Sequence, residues 1–239
     1  MIFLSPYYNK INDSKVEVSA TQGSAFAKQV ANDFNPIHNI DSKRFCVPGD
    51  LLFAIALQKY SLHQKMSFQF EGLVKANAIL NFPDNATELK ITNERSKPVL
   101  SISKTGENSS NEQQLEMLIK NYVSFSGHNF PHILVPLMRE HQIMINPERP
   151  LVIYESMSLD FVSLDFIDPI IELDQTNLLV NGKRGDAQLT FTIKDETGRK
   201  IGSGIKNLVL SGLREYEQSA VDDMCQRYQQ YSNLMAIKH

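Results

Sequence analysis

The densest cluster of chemically capable side chains is the run A-N-D-F-N-P-I-H, which holds Asp33, Asn35, Pro36 and His38. A carboxylate and an imidazole held close can together bind and deprotonate a water molecule: histidine titrates in the right range, and the carboxylate orients the second hydrogen. Pro36 keeps Asn35 out of helical dihedrals, so any preceding helix must end near Asp33 and place Asp33 and His38 on one short irregular segment. The Asn35 amide is suited to locking that turn by bonding to backbone. Eleven residues beyond His38, Gly49 stands at the start of an apolar run. Free backbone N–H groups at a helix start, aligned with the positive end of its dipole, suit a developing oxyanion.

The elements that must position these residues are read from periodicity. Residues 22–32 carry an apolar stripe of Phe26, Ala27, Val30 and Ala31, as in a short helix. P-G-D-L-L-F-A-I-A-L-Q-K-Y opens with helix-start residues and is apolar on nearly every side, which predicts a buried helix over 49–60. From Met66 the pattern turns to strand formers and period-two alternation. The second half repeats the order: a helix over 111–123 and an apolar helix in F-P-H-I-L-V-P-L-M-R-E-H, bent at Pro136. Strand-like runs then fill 151–180, 187–194 and 201–210, with turns at Asn181-Gly182 and Thr197-Gly198, and an amphipathic helix covers 213–235. A shift of 91 residues aligns M-S-F-Q-F-E-G-L at Met66 with M-S-L-D-F-V-S-L at Met157. Internal duplication is the expectation, with the break in the polar stretch G-E-N-S-S-N-E near 106–112 and units at 1–108 and 109–239.

In that setting D-F-N-P-I-H resembles the D-x-N-P-x-H signature of the (R)-specific enoyl-CoA hydratases, the MaoC-like branch of the hotdog superfamily, and F-A-K-Q-V-A resembles the helix leading into it. The resemblance implies an α+β double hotdog, a curved antiparallel sheet wrapped around two long central helices. It implies Asp33 and His38 as the catalytic acid/base pair, Asn35 as a supporting, substrate-binding residue, and Gly49 as the amide that binds the thioester carbonyl. The substrate implied is acyl-CoA or an acyl-carrier thioester, with no cofactor. Departures are visible: Asn32 stands where the family has glycine, and H-G-M has become P-G-D. Asp50 would either repel a developing oxyanion or sit as an ordinary helix-start acid facing solvent. The second half holds only the echo S-F-S-G-H-N-F-P-H, without an Asp at the matching place, and reads as a partner that completes the groove. Two alternatives stay open: a hotdog module that binds an acyl group or a partner without catalysis, and an acyl-CoA thioesterase using Asp50.

Composition bounds these readings. The chain has 239 residues, a net charge of −3, 42% apolar and 21% charged residues, which suits a globular protein and not a dedicated nucleic-acid binder. Cys46 and Cys225 are too few for a disulfide framework or a thiolate zinc site. The start M-I-F-L-S-P-Y-Y lacks a basic flank, and the longest apolar run is Leu51 to Leu57, so no signal peptide or membrane span is expected and the cytoplasm is the expected compartment. His128 and His132, four apart with Pro131 between them, do not suggest a metal site. Pairing of two chains as a homodimer stays open.

Overall fold

The computed structural model describes residues 3–236, with side chains described to Asn233. Helix α1 (Ala20–Gln29) begins on a capping box in which Ser19 and Gln22 satisfy each other's backbone N–H groups, at 3.2 and 3.0 Å. It ends where Asn32 takes a φ of +52°. That is the left-handed region, which asparagine tolerates better than most residues. Helix α2 (Gly49–Tyr60) is buried from Asp50 through Leu57, and each large apolar side chain removed from water there stabilises by about 1.5–3 kcal/mol.

Strands β1 (Asn9–Lys10), β2 (Lys15–Glu17), β3 (Leu62–Phe70), β4 (Ile79–Asn81), β5 (Glu88–Asn93) and β6 (Pro98–Ser109) belong to the first half. Helix α3 (Glu112–Gly127) follows, capped by Asn111, and its stripe of Leu115, Leu118, Ile119 and Tyr122 packs toward α2, with the Phe53 and Tyr122 rings 5.0 Å apart. Next come one π turn (Phe130–Leu134), α4 (Val135–Glu140) and the short β7 (Ile143–Met144). The four long strands β8 (Val152–Phe161), β9 (Ile170–Asn181), β10 (Arg184–Lys194) and β11 (Lys200–Ser211) precede β12 (Arg214–Glu215) and α5 (Gln218–Ala236).

Ten strands form one antiparallel sheet in the order β1-β2-β4-β5-β6-β3-β8-β11-β10-β9. Outward from the central β3–β8 pair, the order runs β6, β5, β4 on one side and β11, β10, β9 on the other. Ser67 and Ser158, aligned by the 91-residue shift, lie directly opposite each other in the β3–β8 ladder. One apolar core surrounds α2 and α3; a second gathers α4, β10, β11 and the Val221/Met224 face of α5.

Several expectations need correction. The stretch near 106–112 is not a free linker: Asn108 and Ser109 pair with His63 and Leu62, and only Ser110 and Asn111 join β6 to α3. Its polar composition reflects an exposed strand end, with Gly106 at φ +84° where the register shifts. The second apolar helix is not long. Pro131 and Pro136 lack the N–H groups a continuous helix needs, so a π turn is followed by six residues of α-helix. The run 151–180 is two strands, and the last helix starts at Gln218, after β12 pairs with β7.

The end of α3 meets the chain after α1 so closely that a Cβ on Gly127 would stand 1.8 Å from the Ala31 carbonyl oxygen. Gly127→Ala is therefore expected to cost about 2 kcal/mol or more and to lower the melting temperature by several degrees. An unchanged thermal transition would show that this contact gives way freely.

Candidate functional site

The turn after α1 is fixed by local bonds. The Asp33 N–H donates to the Ala27 carbonyl at 2.8 Å, the Asn35 N–H to Asp33 Oδ1 at 2.9 Å, and the Ile37 N–H to Asn35 Oδ1 at 3.1 Å. Pro36–His38 forms one 3₁₀ turn. These bonds bring Asp33 Oδ2 to 3.4 Å from His38 Nε2. The other ring nitrogen, Nδ1, lies 2.7 Å from the Cys46 carbonyl, which only accepts, so Nδ1 carries the proton and Nε2 is left to face Asp33. Burial disfavours charge on both partners, but their attraction, with the Asn35 amide on Asp33 and the Cys46 carbonyl on His38, outweighs it. The Asp33 carboxyl sits below its ordinary range and the His38 imidazole above its own.

Both side chains line a cavity of ≈ 310 Å³, at the lower end of the usual ligand-pocket range. Gly49, in the first turn of α2, also lines it. The Leu51 and Leu52 N–H groups turn back to the Pro48 carbonyl, at 3.1 and 3.3 Å, and those of Gly49 and Asp50 stand first in the helix without an intrahelical acceptor. A Cβ on Gly49 would press on Tyr154 at 3.0 Å and Phe70 at 3.2 Å, so glycine lets those two rings cover the helix start without shifting. Asp33, Asn35, His38 and Gly49, singled out by spacing, thus line one cavity.

Asp50 does not face solvent. It is 7% exposed, and its Oδ2 accepts from Ser126 Oγ at 2.6 Å. Ser126 in turn receives a hydrogen bond from Lys206 Nζ, which also lies 4.3 Å over the Tyr154 ring. Lys206 is 3% exposed. Burial raises the Asp50 carboxyl and lowers the Lys206 ammonium, while their mutual attraction opposes both shifts. Asn129 lines the same cavity, as do Ser126 and Gly127, so the segment S-F-S-G-H-N-F-P-H does contribute a wall.

Ser126, Asn129, Tyr154 and Lys206 were not foreseen. For Lys206 a signal exists: along β11 it is in phase with the buried Leu208 and Leu210, while the apolar Ile205, out of phase, is 38% exposed. Ser126 and Asn129 lie in the echo S-F-S-G-H-N-F-P-H, which marks the segment but neither residue, and Tyr154 carries no comparable mark. His128 and His132 do lie near each other, ring centroids 6.1 Å apart. Among the described residues no group of three or more His, Cys, Asp or Glu could hold a metal, and no helix is long and apolar enough to cross a membrane.

One protein family, described as a protein of unknown function (DUF3581), matches residues 2–219, and the chain belongs to it. A comparison with curated proteins gives no match. Among solved structures, a tesB protein of Mycobacterium avium subs paratuberculosis is 8% identical with a TM-score of 0.49, covering 87% of this chain and 97% of its own. An acyl-CoA thioesterase II of Mycobacterium marinum is 10% identical with a TM-score of 0.42, covering 91% and 98%. A conserved protein of unknown function with a hot dog fold from Alicyclobacillus acidocaldarius is 8% identical with a TM-score of 0.45, covering 87% and 98%.

The ion pairs make two testable statements. The folded protein holds the His38 proton more tightly than the unfolded chain does, so the pair's stabilisation is complete below about pH 6.5 and declines as pH rises through the higher folded value. Asp33, lowered on folding, contributes above the ordinary carboxylate range near ~3.9, and loses its contribution as pH falls through its lower folded value. The melting-temperature gap between wild type and His38→Ala should be widest near pH ~5–6 and narrow above it; a gap that widens with pH would contradict the pairing. Lys206→Met leaves Asp50 buried without its counter-ion and should cost about 3–5 kcal/mol. Adding Asp50→Asn should restore much of that loss in a urea titration, and a purely additive pair would refute the coupling.

Proposed function

We propose that this DUF3581 chain acts on acyl thioesters, as a MaoC-like hydratase or dehydratase of an enoyl-CoA-type substrate. The observation that carries the reading is the convergence of Asp33 Oδ2 and His38 Nε2, 3.4 Å apart, on a cavity shared with the free amides at the start of α2. The same reading takes the chain as a double hotdog of units 1–108 and 109–239, with α2 and α4 as the central helices. The mirrored strand order and the Ser67–Ser158 pairing favour it.

In the hydration direction, Asp33 takes a proton from a water bound beside the pair as the water oxygen bonds to the β-carbon. The electron pair of the double bond moves toward the thioester carbonyl, whose oxygen is met by the Gly49 amide. His38, in the doubly protonated form that its pairing with Asp33 favours, delivers the Nε2 proton to the α-carbon. Return of the proton from Asp33 to His38 resets the site, and dehydration runs the same steps backward. The Asn35 side chain holds the turn that sets this geometry.

A second reading, an acyl-CoA thioesterase, is favoured by one observation: Asp50 is buried and faces the cavity beside Lys206, where a carboxylate could draw a proton from water attacking the thioester carbonyl.

A panel of enoyl-CoA substrates of graded length separates them. Wild type is expected to hydrate at least one, with Asp33→Asn and His38→Ala each lowering kcat/KM about 100-fold or more while melting stays within several degrees of wild type. Failure on the whole panel ends the lyase reading. Release of free thiol, abolished by Asp50→Asn and not by His38→Ala, would select the thioesterase; calorimetric binding without any product would leave a binding module.

A further inference from the structure

The cavity beside Asp33 and His38 is lined by apolar residues such as Leu52, Phe70 and Val152 as well as by charged ones, and at ≈ 310 Å³ it has little room for a thioester and a long hydrocarbon tail together. Asp50 and Lys206 line it, and so does Asn129, which is 4% exposed and whose amide nitrogen and oxygen have no partner among the described residues. Asp50 Oδ1 is likewise buried without a partner. A thioester seated beside Asp33 and His38 takes up much of that space, so a long acyl tail must leave the cavity.

One neighbouring cavity offers it a place. A space of ≈ 300 Å³ lies between α5 and the segment around 145–150, and it shares the lining residues Asn35, Phe130 and Val152 with the first cavity. Its other walls include Phe34, Ile145, Met224 and Tyr228. Tyr228 is held in place from the side of the site: its hydroxyl lies within hydrogen-bonding distance of the Asn32 carbonyl, at 3.1 Å, and the Gly127 carbonyl, at 2.9 Å. Its ring meets Phe34 and Phe130 with centroids 5.5 and 5.7 Å apart. Glu148 and Arg227 are the charged residues on this lining, one of each sign and both exposed. Such a wall has no excess of cations to meet the phosphates of a nucleotide; it matches an uncharged chain of methylenes.

Resting on the acyl-thioester reading, we propose that the groove under α5 seats the hydrocarbon tail of the substrate, which reaches it past Asn35, Phe130 and Val152, and that α5 sets acyl chain-length preference. Calorimetric titration of the whole chain with butanoyl- and dodecanoyl-CoA tests this without requiring turnover. The longer thioester should bind at least about ten-fold tighter, and Met224→Trp should remove most of that difference. Arg227→Trp, at an exposed position on the same wall, is the second obstruction and should act in the same direction if Met224→Trp does not fold. In wild type with a turned-over substrate series, the long-to-short ratio of kcat/KM should fall about ten-fold in either variant. Equal affinity for both thioesters in wild type, or a chain-length ratio unmoved by a folded obstruction variant, overturns the groove. Absence of turnover with the expected chain-length-dependent binding would instead remove only the lyase reading.

Discussion

Asp33, His38, Asp50 and Lys206 share one cavity, and a buried charge is tolerable only when an opposite charge or well-placed hydrogen bonds accompany it. Asp33 meets His38 directly, and Asp50 meets Lys206 through Ser126. The partners come from the turn after α1, the start of α2, the end of α3 and the middle of β11. Charge balance therefore ties the register of a strand late in the chain to helices near its start. Lys206 stands opposite Met157 in the β8–β11 ladder; a slip of one residue would turn it outward and aim Ile205 at Asp50.

Close approach makes the balance possible. Gly127 lets the end of α3 press on the Ala31 carbonyl, and Gly49 lets Phe70 and Tyr154 cover the start of α2. Asn32 supplies the left-handed step that turns the chain toward His38. Tyr228 then bonds across the same junction from α5. Tyr154 packs against both apolar cores, so the cavity opens at the seam where the two cores meet.

The altered helix start P-G-D also acquires a physical meaning. An acid beside the first amides of a helix ordinarily gains from the dipole while facing water. Here Asp50 is buried, and the lysine beyond Ser126 supplies the opposing charge. In the proposed reaction, a thioester oxygen reaching the Gly49 amide would meet a carboxylate already engaged by a cation, which removes much of the repulsion that the residue types alone suggest.

How much of this was legible depends on how local each cause is. The turn at Asp33–His38 was readable because Pro36 and the Asn35 side chain dictate it within a few residues. The buried α2 was readable because a helix apolar on nearly every face has nowhere else to go. The strands follow from period two and the turns from the pairs Asn181-Gly182 and Thr197-Gly198, whose glycines take positive φ, +58° and +87°. The linker near 106–112 was misread, since an exposed strand end and a linker share a polar composition. The helix after α3 is shorter than its apolar pattern suggests, because that pattern continues where Pro131 and Pro136 interrupt the hydrogen bonding. What the amino-acid order determined alone was the Asp33/His38 pairing, the buried helix beside it and the mirrored succession of elements, all set by neighbours along the chain. Only the tertiary structure decided that Ser126, Asn129, Tyr154 and Lys206 join them. Those contacts span 52 to 80 residues in the Ser126–Lys206 and Tyr154–Lys206 cases, and whether a lysine in a strand is buried depends on what charge the opposite wall presents.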